Sequence, residues 1–407
     1  MSDVRWKSPF PHTLSFELFR EHFTELNNIY WSFVPASNTI LSLSKKSLTA
    51  EDADPKSYFL IPDKDDKRIA TTFGKWQSDF KEFGNYTRLS LVMMLSSCFE
   101  TYLRTVVSNA FESCPGVIIM CPKSVDGVFL LKKDIRYGDA SQGNYQFFDQ
   151  IKEICSGTWS KRIQNFEKYF GTLPGTVHCK ISDLDKFRNE RNEIGHYFGR
   201  TKKEYTAPLV LNPVAANRVS HEKLLKYFSL IYGVVVEIDR YLKDNFIGSY
   251  DIIKFYLYRV ANGEFSTNIP GMVARELQKV LGSNGFPPVG NEYYRNIVSY
   301  CSLDAQSDVC KYSKKSCIKE INRQLSNQNI SLLYNGHNVR FGKYYFDLFV
   351  RVNNWRNDPE YCQRNQANSL QVEYRYSSKI IDSIVKMIST APETIISTLK
   401  ASAVEPA

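Results

Sequence analysis

The stretch Asp185-Lys186-Phe187-Arg188-Asn189-Glu190-Arg191-Asn192-Glu193-Ile194-Gly195-His196 decides how this chain is read. Ser182 and Asp183 stand just ahead of it as N-cap residues, and Leu184, Phe187, Arg191, Ile194 and Phe198 recur at a spacing of three and four. The pattern predicts a helix whose apolar stripe contains an arginine. A charge in that place is costly unless it is paired or used. Upstream, Leu89, Val92, Met93, Phe99, Leu103, Val106 and Val107 trace one face of a long helix within 68–113, and Glu100 falls on the same face. Either Glu100 faces Arg191 and orients it, or it is an unrelated surface carboxylate. Downstream, Ser220 to Asp244 carries Leu224, Phe228, Ile231, Val235, Ile238 and Leu242 on one stripe, which suits a bundle core or an interface equally.

Working outward, three regions are expected: an N-terminal accessory region 1–67, a helical domain 68–250 and a C-terminal α+β accessory domain 251–407. In the first, helical spacing runs from Leu14 to Tyr30 and a polar loop from Ser44 to Lys67. In the second, β-rich runs between Val117 and Leu131 predict a small hairpin, and Tyr145–Ile154 and Ser160–Tyr169 predict helices. In the third, helical spacing over Asp251–Val260 and Ser313–Leu325 is separated by a Gly/Pro-rich stretch, Gly282–Gly290. Asn335-Gly336 joins Ile330–Tyr334 to Val339–Phe349 as a hairpin signal. A helix followed by a hairpin fits a winged-helix module or an ordinary α+β accessory domain.

Composition bounds the function. The chain has 407 residues, is 43% apolar and 23% charged, and carries a formal charge of +9, which favours a polyanionic partner such as RNA. Its Phe and Tyr rings could also stack on unpaired bases. No run of eighteen apolar residues occurs, and Met1-Ser2-Asp3-Val4-Arg5-Trp6 lacks the apolar core of a signal peptide, so a cytoplasmic protein without membrane contact is expected. Nine cysteines form no Cys-x-x-Cys pair, and Cys301, Cys310 and Cys317 match no common zinc spacing. No metal or other cofactor is expected. His12, His22, His178, His221 and His337 show no metal or triad spacing, and no phosphate-binding glycine loop is present.

The sequence Arg191-Asn192-x-x-x-His196 resembles the signature of the HEPN superfamily, and the resemblance extends over about 68–250. It implies a central HEPN-type helical bundle, which with the accessory N-terminal helices and the C-terminal α+β region read from the spacing makes the expected fold mainly α. The family implies a metal-independent endoribonuclease in which a ribose 2′-hydroxyl attacks the adjacent phosphate. His196 would move the proton, Arg191 would hold phosphate oxygens, Asn192 would bond phosphate or fix the histidine, and Glu100 would orient Arg191. The resemblance further implies a homodimer with a composite active site, a toxin or antiviral (abortive infection) role, and a regulatory or inhibitor protein. The alternative is a catalytically inactive scaffold that binds nucleic acid or a partner protein, with His196 satisfied by a backbone carbonyl and Arg191 in a structural ion pair. HEPN toxins silenced by nucleotide transfer carry Tyr two places after the histidine. Phe198 stands there instead, so control by a nucleotidyltransferase is not expected.

Overall fold

Apolar residues spaced by three and four dominate the chain, and the elements they form are helices. The structure, a computed structural model, describes residues 3–47, 51–59, 63–114, 116–117, 123, 147–200, 216–307, 314–328, 333–334, 339–340, 378–391, 393 and 396–397. The protein is mainly helical: α1 (Asp3–Trp6), α2 (Leu14–Ser47), α3 (Phe73–Ser113), α4 (Phe148–Cys155), α5 (Trp159–Phe170), the short α6 (Gly175–His178), α7 (Ile181–Tyr197) and α8 (His221–Leu242). A π turn, Lys243–Ile247, follows α8 and precedes α9 (Tyr250–Ala261), α10 (Pro270–Ser283), α11 (Asn291–Ser307), α12 (Lys314–Leu325) and α13 (Ser378–Ser389). Between the last two lies an antiparallel pair, β1 (Leu333–Tyr334) and β2 (Val339–Arg340), with Leu333 opposite Arg340 and Tyr334 opposite Val339. None of the helices is long and apolar enough to cross a membrane, among the described residues.

The chain divides into two compact units that interleave along the sequence. One comprises 1–14, 104–174 and 238–407, the other 15–103 and 175–237. In the second unit the core is aromatic: Phe19 meets Tyr102 at 5.4 Å and Phe23 meets Phe228 at 5.1 Å between ring centroids. Val92, Leu95, Leu224, Ile231 and Val235 are buried there. In the first unit Phe111 packs against Phe147 at 5.4 Å and Phe170 at 4.8 Å, and Phe170 against Phe246 at 5.1 Å. Further along, α10 and α11 pack through Val273, Ala274, Leu277 and Leu281 and through Tyr294, Ile297 and Val298, all buried.

Several expectations are revised. Helix α2 runs on from Tyr30 to Ser47 through Pro35, and no residue from 31 to 42 is buried, so the stripe ends where the helix does not. Helix α7 starts at Ile181 with Lys180 in the N-cap position, which puts Ser182 inside the first turn. Its stripe buries Leu184 and Phe187 only; Arg191 and Ile194 are half-buried and Phe198 is exposed. The Gly/Pro-rich stretch does separate two elements, but those are helices α10 and α11, neither of which was expected. The hairpin expected over 117–131 and most of the strand expected over Val339–Phe349 lie outside the described residues.

Candidate functional site

Helix α7 and the middle of α3 place the charged residues of the second unit. Arg191 Nη2 lies 3.7 Å from Glu100 Oε2, and Arg191 Nη1 donates to Asn192 Oδ1 at 3.2 Å. Its Nε is buried and meets no hydrogen-bond partner among the described residues. Glu100 and Arg191 are both partly exposed, so their attraction is screened and contributes under about 1 kcal/mol. The structure therefore brings Arg191, Asn192 and Glu100 together. His196 is exposed in the last turn of α7, its ring edge-on to Tyr197 at 6.2 Å, and it makes no hydrogen bond to a described residue. The helix closes on Phe198 in the left-handed conformation, φ 55°, followed by Gly199 at φ 76°. One turn earlier, a Cβ at Gly195 would come within 3.3 Å of Met93 Cε, so the two helices approach closely there.

On the same helix Glu190 ties α7 to α8. It accepts from Lys223 Nζ at 2.8 Å and from the Tyr227 hydroxyl, and burial together with the bond to Glu190 pushes that phenol well above its usual range. Phe187 packs on the Tyr227 ring at 5.0 Å. These contacts hold α7 firmly without assigning it chemistry.

In the first unit α12 and α13 pack together, burying Ile318, Ile321 and Leu325 from one helix and Ile381, Ile384 and Ile388 from the other. Gln324 Nε2 of α12 donates to Asp382 Oδ1 of α13 at 3.5 Å, and Gln328 Nε2, in the turn after α12, donates to Ser389 Oγ at 2.8 Å. Glu320 accepts two bonds from Arg323, at 2.8 and 2.6 Å, and one from Gln324 at 3.0 Å. Those bonds hold its carboxyl down at about 2. Among the described residues no group of three His, Cys, Asp or Glu side chains is placed to hold a metal ion.

The helical pair α12–α13 and the ladder β1–β2 fall within a segment that has a recognisable class. Residues 305–400 match the EC042_2821-like Restriction Endonuclease-like domain, so this part of the chain is similar to a nuclease domain. No curated protein and no solved structure matches the chain. The match corrects the reading of the sequence in two respects. The family found is a restriction endonuclease-like domain and not HEPN, and it lies at 305–400, beyond the helix that carries Arg191 and His196. RNA cleavage by a HEPN site, with the toxin and defence role that came with it, is not supported: the domain matched is of a restriction endonuclease-like kind. The physical reason is one of weight. A single Arg-to-His spacing on one helix says less than a pattern matched over a whole segment, and the stripe that made Arg191 conspicuous is at the surface beyond Phe187.

Proposed function

We propose that residues 305–400 form a nuclease that cuts DNA, and the family match over those residues is the observation that carries the reading. DNA lacks a 2′-hydroxyl, so water must attack the phosphate. Something must take its proton, and something must stabilise the charge that builds on the phosphoryl oxygens. Carboxylates serve this chemistry either as the base or as ligands to a divalent cation that polarises the phosphate.

Two carboxylates of the segment stand out in sequence. Asp347 is the single charge in Tyr344-Tyr345-Phe346-Asp347-Leu348-Phe349-Val350, and Glu373 is the single acid in Leu370-Gln371-Val372-Glu373-Tyr374-Arg375-Tyr376. A carboxylate among apolar and aromatic neighbours is costly unless it is used. Both lie outside the described residues, so their assignment is one of sequence.

Charge supports the substrate. Residues 305–400 hold 14 Lys and Arg against 8 Asp and Glu, the larger part of the chain's excess of +9. Nearby in sequence, Arg275 and Lys279 on α10 and Arg295 on α11 are exposed and form no ion pair with a described residue. Incubating the full chain with supercoiled plasmid and with single-stranded RNA, with magnesium or with EDTA, tests the proposal. Nicked or linear plasmid is the expected product; intact plasmid beside cleaved RNA contradicts it.

A further inference from the structure

The chain ahead of α2 is held down at two places of different chemistry. At the first, Arg5 donates to Ser113 O at the end of α3 and to Ile247 O in the π turn, and Ser249 N donates to Arg5 O at 3.0 Å. At the second, two carboxylates hold Thr13 and Leu14. Asp239 of α8 accepts from Thr13 N at 3.1 Å and from Thr13 Oγ1 at 2.5 Å, and Asp251 of α9 accepts from Leu14 N at 2.7 Å. Both acids are buried, at 0% and 4% exposure. Between the two places Phe10 sits edge-on to Phe286 at 5.4 Å and to Tyr293 at 5.7 Å. Residues 8–14 thus form a strap whose far end closes on two buried acids.

Neighbouring carboxylates shut away from water do not both ionise without cost. Burial raises the Asp251 carboxyl to about 6, with Asp239 adding, against the amides of Leu14 and Ile252 that favour its charged form. The other charged groups around the acids do little to offset them. His12 Nδ1 lies 3.2 Å from Asp239 Oδ2 and attracts it only when protonated. Lys243 Nζ is committed to Phe10 O at 3.0 Å, Pro11 O at 3.2 Å and Asp244 at 3.1 Å. From α11 the Tyr293 hydroxyl donates to Ser249 Oγ at 2.9 Å, and burial, with Asp251 adding, pushes that phenol well above its usual range. One turn into α2, Glu17 is paired with Arg20 at 2.5 Å. With Asp239 ionised, Asp251 protonated and His12 charged, the far end of the strap is neutral; with both protons gone it holds two negative charges.

We infer that residues 8–14 are a latch worked by pH: the proton on the Asp239 and Asp251 pair keeps it shut, and loss of that proton opens it at Thr13 and Leu14 while Arg5 keeps the segment tethered. The closed latch binds the Asp251 proton more tightly than the open one, in which the carboxyl meets water and titrates near 4, so opening becomes more favourable as pH rises from about 4 to about 6. The gap between those values limits the share of Asp251 to roughly a hundredfold in the opening equilibrium. Loss of the His12 proton removes an attraction and acts in the same direction. The tether at Arg5 has no such dependence, because a guanidinium keeps its charge.

Amide hydrogen exchange of the full chain at about pH 4.5 and about pH 7.5, corrected for the intrinsic pH dependence of exchange, tests this. The amides of Thr13 and Leu14 are expected to open at least about tenfold more at the higher pH, while the Ser249 amide, bonded to Arg5 O, keeps its protection. Asp251→Asn, which has no proton to lose, is expected to abolish most of that rise. Opening of Thr13 and Leu14 that is the same at both pH values overturns the inference. So does a Ser249 amide that loosens in step with them, which marks a general loss of stability, or a folded Asp251→Asn chain that keeps the full wild-type rise. Should that variant fail to fold, the comparison of Thr13 and Leu14 with Ser249 in the wild type decides alone.

Discussion

Arg5 shows how much of the first unit hangs on one side chain. It is 1% exposed, donates from Nη1 to Ile247 O at 2.7 Å, and from Nη2 to Ser113 O at 3.0 Å and Ser113 Oγ at 2.6 Å. Its guanidinium lies 4.1 Å from the Trp6 ring centroid. It thus satisfies carbonyls where α3 and the π turn end. Arg5→Met is expected to cost about 3 kcal/mol in urea unfolding, since Ser113 O and Ile247 O each lose a buried charged donor, Ile247 O keeping only the 3.3 Å bond from Ser113 Oγ. Gly248, at φ 58°, faces Arg5 O so closely that a Cβ would come within 2.6 Å, so Gly248→Ala is expected to destabilise by a similar amount. Asp251 gives the pH dependence. It accepts from Leu14 N at 2.7 Å and Ile252 N at 2.9 Å, while burial, with Asp239 adding, raises its carboxyl to about 6. The folded chain binds this proton more tightly than the unfolded chain, whose carboxylate titrates near 4, so this group's contribution to stability falls as pH rises from about 4 to 6. Asp251→Asn is expected to remove on the order of 2–3 kcal/mol of that fall, read as a flatter Tm against pH relative to wild type. None of this was legible in the sequence. Arg5 and Asp251 carry no periodic signal, and their burial depends on residues more than a hundred positions away.

At the scale of elements, legibility followed the apolar stripe. Helices α8, α9 and α12 begin and end within a few residues of their expected bounds because Leu224, Ile253 and Ile321 mark buried faces. The far half of α2 carries no apolar stripe because it buries nothing, and α10, for which no helix was expected, starts with Pro270 at its first turn, a place that suits proline. The turn signal at Asn335-Gly336 was sound as far as the described ladder tests it, since Tyr334 pairs with Val339. Two predictions belong here. Ile321→Ala or Ile384→Ala, which hollow the α12–α13 contact, should cost about 2–4 kcal/mol and reduce nuclease activity with stability. Charge reversal of Arg275, Lys279 and Arg295 to Glu should weaken duplex binding and lower the slope of log affinity against log salt by about 2 to 3, while melting is little changed. Binding by fluorescence anisotropy over a salt series reads both.

For the whole molecule, class was easier to see than site. A mainly helical chain with an α+β end follows from the spacing of its apolar residues, whereas the interleaving of the two units, 15–103 with 175–237 and the remainder together, leaves no mark that a linear reading could find. The Arg191 motif drew attention because an arginine and a histidine sit close in sequence. Its partner Glu100 was visible as a charge on an apolar face, and the two do meet. The nuclease-like segment 305–400 drew none, because carboxylates separated by stretches of ordinary composition look like surface residues one at a time. On the function proposed above, cleavage belongs to that segment and its substrate is DNA. The most direct measurement is the rate of plasmid nicking by wild type, Asp347→Asn, Glu373→Gln and His196→Ala, each checked for folding. Asp347→Asn and Glu373→Gln are expected to lose at least about a hundredfold while His196→Ala cuts like wild type. Cleavage abolished by His196→Ala and retained by both carboxylate variants would contradict it.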